Sequence, residues 1–191
     1  IKGSLLMVDI IKQAIRAWQT VLAEPVTIRV DGTPFAVTPQ MTRRARGRAR
    51  ASRRPHNRAR QIFHDKLVEE IVNAYAAEIG TDPTQPDRPG LLLSASDYAD
   101  LTEDLLNSPE VQALVEDNWP ILTAPQVVER LLTDRRHLEE ASHTILSDDD
   151  VDYLLRAKDS PFTVPDVPLL DEAAEQLGRP PRPRKATAGG E

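Results

Sequence analysis

The chain has 191 residues and a mass of 21.3 kDa, with 40% hydrophobic and only 4% aromatic residues, so one medium domain or two small ones must fill a core from Leu, Ile, Val and Ala. Cysteine is absent, which excludes a disulfide framework and thiolate chemistry and agrees with a reducing, cytoplasmic location. No apolar run approaches the roughly 20 residues of a membrane span. The net charge of −6 conceals an asymmetry: residues 1–64 carry 13 Lys/Arg against 3 acids, residues 65–178 carry 7 against 26, and residues 179–191 carry 4 against 1. No signal peptide is visible, and a start on Ile1 rather than Met reads as a piece of a longer protein.

Ser4 stands where it can cap a helix in which Leu5, Leu6, Val8, Ile11, Ile15, Trp18 and Leu22 recur near the 3.6-residue period. Glu24-Pro25 ends it, because the residue before proline is pushed out of the α region. Val26–Val30 alternates, and Asp31-Gly32 before Thr33–Val37 predicts a β-hairpin with a type I′ turn. Thr38-Pro39 is a capping hydroxyl followed by proline at the first helical position, and the helix it opens runs to Ser52. Arg53 to Asn57 breaks the chain, and a second helix carries Ile62, Phe63, Leu67, Ile71, Val72 and Ile79 to a terminator at Gly80.

Thr81 to Gly90 contains Pro83, Pro86 and Pro89 and reads as a hinge. Leu91-Leu92-Leu93 fits helix or strand equally. Short acidic helices follow: about Asp97–Leu106, one from Ser108-Pro109, one from Thr123, one over Arg135–Ser142, one capped by Ser147, and a last one from near Asp166 to Gly178. Acids gather in their first turns, where the helix dipole favours them. The predicted fold is mainly α, a bundle of short helices with one β-hairpin, in two lobes joined by a Pro-rich loop. A basic lobe spans 1–80, the hinge 81–95, an acidic all-α lobe 96–178, and a linker 179–191.

Nine arginines lie from Arg43 to Arg60, and no acid falls between Gly32 and His64. On a helix such a run neutralises phosphates, docks on an acidic protein, or pairs with the acidic half of the same chain. The partner-binding candidates are Arg43, Arg44, Arg46, Arg48, Arg50, Arg53 and Arg54. No aromatic interleaves with them, which argues against stacking of single-stranded bases. The second candidate is the acidic turn of Asp148, Asp149, Asp150 and Asp152. Its carboxylates are of the type that holds a divalent cation, but the calcium-loop pattern fails: the sixth position is Tyr153 and the twelfth Asp159. An acidic first turn behind the Ser147 cap explains it as well.

Other chemistry finds no residues. Leu169-Leu170-Asp171-Glu172-Ala173-Ala174 looks like a helicase Asp-Glu-Ala box, but Pro165 and Pro168 precede it, and no phosphate loop occurs. His56, His64, His137 and His143 form no zinc spacing. No nucleophile elbow is present. The segment by itself is expected to be no enzyme, to hold no metal and to carry no cofactor.

Four stretches, in order, carry a family resemblance: Ile1-Lys2-Gly3-Ser4, Arg54-Pro55-His56-Asn57, Asn118 to Thr123, and Asp166 to Ala174. Together they make the chain, over about residues 1–178, resemble the middle of HelD-type proteins. These are helicase-like ATPases related to UvrD that associate with bacterial RNA polymerase. The resemblance implies an insertion between the phosphate loop and the Asp-Glu-Ala box of the first motor domain, with ATP and magnesium held elsewhere in the parent. It further implies contact with the polymerase clamp and primary channel, clamp opening, and release of nucleic acid during transcription recycling. An acidic half could then compete for the basic lining of the channel, with Asp148–Asp152 approaching the polymerase's magnesium. The alternative is a DNA-binding module using the Arg43–Arg60 helix.

Overall fold

The computed structural model describes residues 1–80 and 93–182. The predicted hinge lies mostly outside the described residues, as do Leu91, Leu92 and positions 183–191 of the predicted linker. Among the described residues the chain is mainly α, with nine α-helices, a short 3-10 turn at Val164–Asp166, and one two-stranded antiparallel sheet. No described helix is long and apolar enough to cross a membrane.

Helix α1 (Leu6–Arg16) buries Met7, Ile10, Ile11, Ala14 and Ile15; of the predicted stripe Ile11 and Ile15 are buried, whereas Leu5, Leu6 and Val8 are exposed, so the apolar face is rotated from the one the sequence suggests. Both ends differ from the sequence reading. The N-cap position is Leu5, and the Ser4 hydroxyl is buried without a hydrogen-bond partner. The helix stops at Arg16 instead of near Leu22, because the following backbone is tied to other elements. Thr20 N–H donates to Asn118 O at 2.9 Å and Leu22 N–H to Thr42 Oγ1 at 3.1 Å, so tertiary bonds override the local period.

Strands β1 (Val26–Val30) and β2 (Thr33–Val37) pair with Ile28 opposite Phe35 and Val30 opposite Thr33. Asp31 and Gly32 both take positive φ, 50° and 76°, as a type I′ turn requires. That register turns Ile28, Val30, Phe35 and Val37 to the buried face, where Phe35 meets the edge of Tyr75 at 5.9 Å.

Helix α2 (Pro39–Ala51) begins as predicted, with Thr38 as N-cap and its hydroxyl accepting from Met41 N–H. Helix α3 (His56–Ile79) starts six residues earlier than its apolar pattern indicates. Gly80 does not serve as a left-handed terminator, since its φ is −72°. Then come α4 (Ala95–Leu106), α5 (Pro109–Asn118), α6 (Ala124–Thr133), α7 (Arg135–Ala141), α8 (Asp148–Leu154) and α9 (Val167–Leu177). Reciprocal capping boxes open α4 with Ser94 and Asp97, α6 with Thr123 and Gln126, and α8 with Ser147 and Asp150. Each N-cap side chain contributes about 1 kcal/mol.

The apolar core does not divide where the charge does. One cluster joins the hairpin, α2 and α3 with α4 and α5, around Phe63, Leu67, Ile71 and Trp119. The other joins α1 with α6 to α9, around Ile10, Ile11, Leu131 and Leu138. Residues 1–80 and residues 93–182 therefore each feed both clusters. Hydrophobic burial follows apolar area and is indifferent to the sign of charge on the outer faces, so the boundary in charge near residue 64 leaves no trace in the packing.

Candidate functional site

Helix α2 turns Thr42, Ala45 and Ala49 inward. Its arginines consequently fall on two flanks: Arg43, Arg46 and Arg50 on one, Arg44 and Arg48 on the other. Only part of the run is used within the molecule. Arg46 donates to Gln19 O at 3.1 Å, while Arg50 donates to Gln19 Oε1 at 2.8 Å and to Arg16 O at 3.4 Å. The last of these contacts satisfies a carbonyl at the negative end of α1. Arg60 donates to Trp119 O and pairs with Glu116 at 2.9 Å, and Arg44 pairs with Glu70 at 3.3 Å. Among the described residues, Arg43, Arg48, Arg53, Arg54 and Arg58 have no carboxylate within the 4.0 Å of an ion pair. Pairing with the acidic segment thus accounts for two of the nine.

The turn between α2 and α3 opens onto a cleft of about 820 Å³ bordered by α1 and α9. Arg50, Arg53 and Arg54 reach it from the run, and α1 adds Lys12 and Arg16. The sequence reading missed those two; their signal is an i, i+4 spacing on the polar face of α1. Asp9, Glu172 and Glu175 also line the cleft. Burial, then the neighbouring Arg46 and Arg16, bring the Arg50 pKa down to about 10, because a half-buried cation beside like charges is held at a cost. Arg53 occupies the left-handed region at φ 56°. The turn is braced by the Ser52 hydroxyl, which donates to Ala49 O at 2.6 Å and accepts from Arg54 N–H at 3.3 Å.

At the cleft floor His56 lies flat against Trp119, centroids 5.1 Å apart and planes at 11°. Nε2–H of His56 donates to Pro120 O at 2.7 Å, and Nδ1 accepts from Gln19 Nε2 at 3.0 Å. Gln19 is oriented in turn by Arg50 on its carbonyl oxygen. The imidazole is therefore held neutral, with its pKa pushed down to about 4 by burial and by Arg60, against the Pro120 bond, which acts the other way. Its neighbour Asn57 clamps the backbone of Leu122 from both sides, at 2.9 and 3.0 Å, and also donates to Gly178 O at 3.0 Å. Gly178, at φ 67°, sits so close to Pro55 that a Cβ there would lie 2.7 Å from the ring.

Fully buried Asp166 accepts from Lys2 Nζ at 2.7 Å and from Arg156 at 2.6 Å, and bonds Thr163 through its N–H and hydroxyl. Burial alone would raise its pKa, but those partners hold the carboxyl well below the usual carboxylate range. These bonds join residues far apart in the sequence: Lys2 to Asp166, His56 to Trp119 and Pro120, and Asn57 to Leu122 and to Gly178 just after α9.

The acidic turn forms the first turn of α8. Asp150 serves the capping box, accepting from the Ser147 N–H and hydroxyl. Asp152 pairs with Arg135. Asp148 and Asp149 are exposed and have no ion-pair partner among the described residues. The four carboxylates do not converge, and among the described residues no group of three or more His, Asp or Glu is placed to hold a metal ion. The chain matches no protein-family model and no curated protein.

Proposed function

We propose that this chain is an interaction module of a HelD-like factor, which enters the primary channel of RNA polymerase, helps to open the clamp and promotes release of nucleic acid. The ATP-hydrolysing motor and its magnesium belong to the parent protein in this reading. The observation that carries it is the pair of exposed, uncompensated charge clusters of opposite sign: Arg43 and Arg48 on α2, and Asp148 and Asp149 on α8. Exposed charges without intramolecular partners add little to stability and are suited to steering a charged partner into register. A polymerase offers both kinds of surface, a basic channel built for nucleic acid and acidic faces outside it.

The test is the affinity of the whole chain for bacterial core RNA polymerase at two salt concentrations. Arg43→Gln/Arg48→Gln and Asp148→Asn/Asp149→Asn should each weaken binding at least fivefold, and raised salt should weaken wild-type binding further. Asp150 is left intact because it caps α8. Binding that ignores both double variants would remove these clusters from the interface.

The DNA-binding reading keeps one observation in its favour, the exposed arginines of α2 and the following turn. Against it, Asp9, Glu172 and Glu175 face the same cleft and would repel a continuous phosphate backbone. Duplex binding by the isolated chain with a steep salt slope would favour it.

A further inference from the structure

The cleft between α1, the α2–α3 turn and α9 holds five cations, Lys12, Arg16, Arg50, Arg53 and Arg54, and none of them forms an ion pair among the described residues. Three carboxylates share the lining, Asp9, Glu172 and Glu175. Five cations against three acids leave a formal surplus of two positive charges. His56 at the floor is neutral and adds none.

Three features separate this arrangement from an ordinary solvated basic face. Arg50 is half-buried and anchored by Gln19, yet its countercharge is missing, and Arg16 and Arg46 stand beside it. Partial desolvation strengthens its field on anything entering the cleft. Arg53 is held in a left-handed conformation that is unfavourable for a non-glycine residue, and the Ser52 bonds fix the turn in which Arg53 and Arg54 both line the cleft. Pro55 and His56, at the positive end of the 24-residue α3, line the same cleft, and that first turn carries no acid and no side-chain cap.

We infer that this cleft is a binding site for a compact phosphate-bearing dianion, a phosphate monoester or diphosphate group, gripped by Arg50, Arg53 and Arg54. The surplus of two charges matches a dianion. The three carboxylates in the lining limit the site to a small anion and turn away an extended polyanion. Guanidinium groups supply the paired donors that phosphate oxygens accept. The inference goes beyond the polymerase reading and stands whether or not the chain binds polymerase.

The experiment titrates the whole chain with inorganic phosphate, pyrophosphate and a sugar phosphate at constant ionic strength, following binding by calorimetry and the melting temperature separately. Saturable one-to-one binding is expected, weakened at least fivefold in Arg53→Gly/Arg54→Gln. The same variant should melt no lower than wild type, because glycine relieves the left-handed strain. Glu175→Gln should tighten binding. Arg29→Gln/Arg136→Gln removes the same charge away from the cleft and should change affinity less than twofold. A sugar phosphate that binds more tightly than inorganic phosphate identifies an organic ligand; equal affinity identifies the free anion. The inference is overturned if the wild type binds none of the three saturably, if the remote variant loses as much as the cleft variant, or if Arg53→Gly/Arg54→Gln binds normally. Duplex DNA that displaces bound pyrophosphate with the same dependence on Arg53 and Arg54 would also overturn it, in favour of a nucleic-acid site.

Discussion

Asn57 makes three hydrogen bonds to backbone groups 65 and 121 residues away in sequence. Replacing it with Ala would leave a buried N–H and two carbonyls unsatisfied, which costs about 3 kcal/mol by the usual penalty for such groups. Denaturant unfolding of Asn57→Ala should show that loss, and an unchanged midpoint would mean that water replaces the amide at no cost. His56 gives a second measurable quantity. Its folded pKa of about 4 lies below the unfolded value of about 6.5, so the unfolded chain binds the extra proton first as pH falls. The contribution is complete above about pH 6.5 and is lost on acidification toward about pH 4, by up to about 3 kcal/mol. Asp166 adds a loss of the same sign at still lower pH, since its folded pKa is depressed below the unfolded value near 4. In a proton NMR titration the His56 ring should stay neutral at pH 5.5; a midpoint near 6.5 would contradict the Gln19–His56–Pro120 chain of bonds.

Helices were legible in the sequence where their ends are set by local chemistry. Thr38-Pro39, Ser108-Pro109, Thr123 and Ser147 each cap the helix predicted for them, and Asp31-Gly32 set the hairpin register, because caps and primed turns depend on neighbouring residues only. Ser4 and Gly80 failed as markers. The first lies one residue before the N-cap with its hydroxyl unbonded, and the second has an ordinary helical φ. The arginine run was legible as a cluster, but its division into anchoring and free members was not, since that depends on the distant Gln19, Trp119 and Glu116. Helix α2 also contains Gly47 at a mid-helix position, where an added Cβ meets nothing within 4 Å. Gly47→Ala should therefore stabilise the protein by about 0.5–1 kcal/mol, read as a raised melting temperature, with no effect on the cleft. A lowered melting temperature would show that the glycine is needed for close approach of a neighbour.

Across the whole molecule, charge and packing obey different rules. The apolar clusters draw α1 away from the hairpin and α2 and set it beside α6 to α9, and the seam between clusters is crossed by His56, Asn57 and Gly178. Of the basic run and the acidic turn, Arg43, Arg48, Asp148 and Asp149 are left exposed and outside any ion pair among the described residues. The sequence displayed the charges plainly because composition counts them directly. It hid the seam because pairings more than 60 residues apart leave no local pattern. The most direct test of the proposed role is retention of core RNA polymerase by the immobilised chain at low salt, with and without competing duplex DNA. Polymerase should be retained, and DNA occupying its channel should reduce the amount. A folded chain that retains no polymerase but binds the duplex itself would contradict it and transfer the role of the arginine helix to nucleic acid.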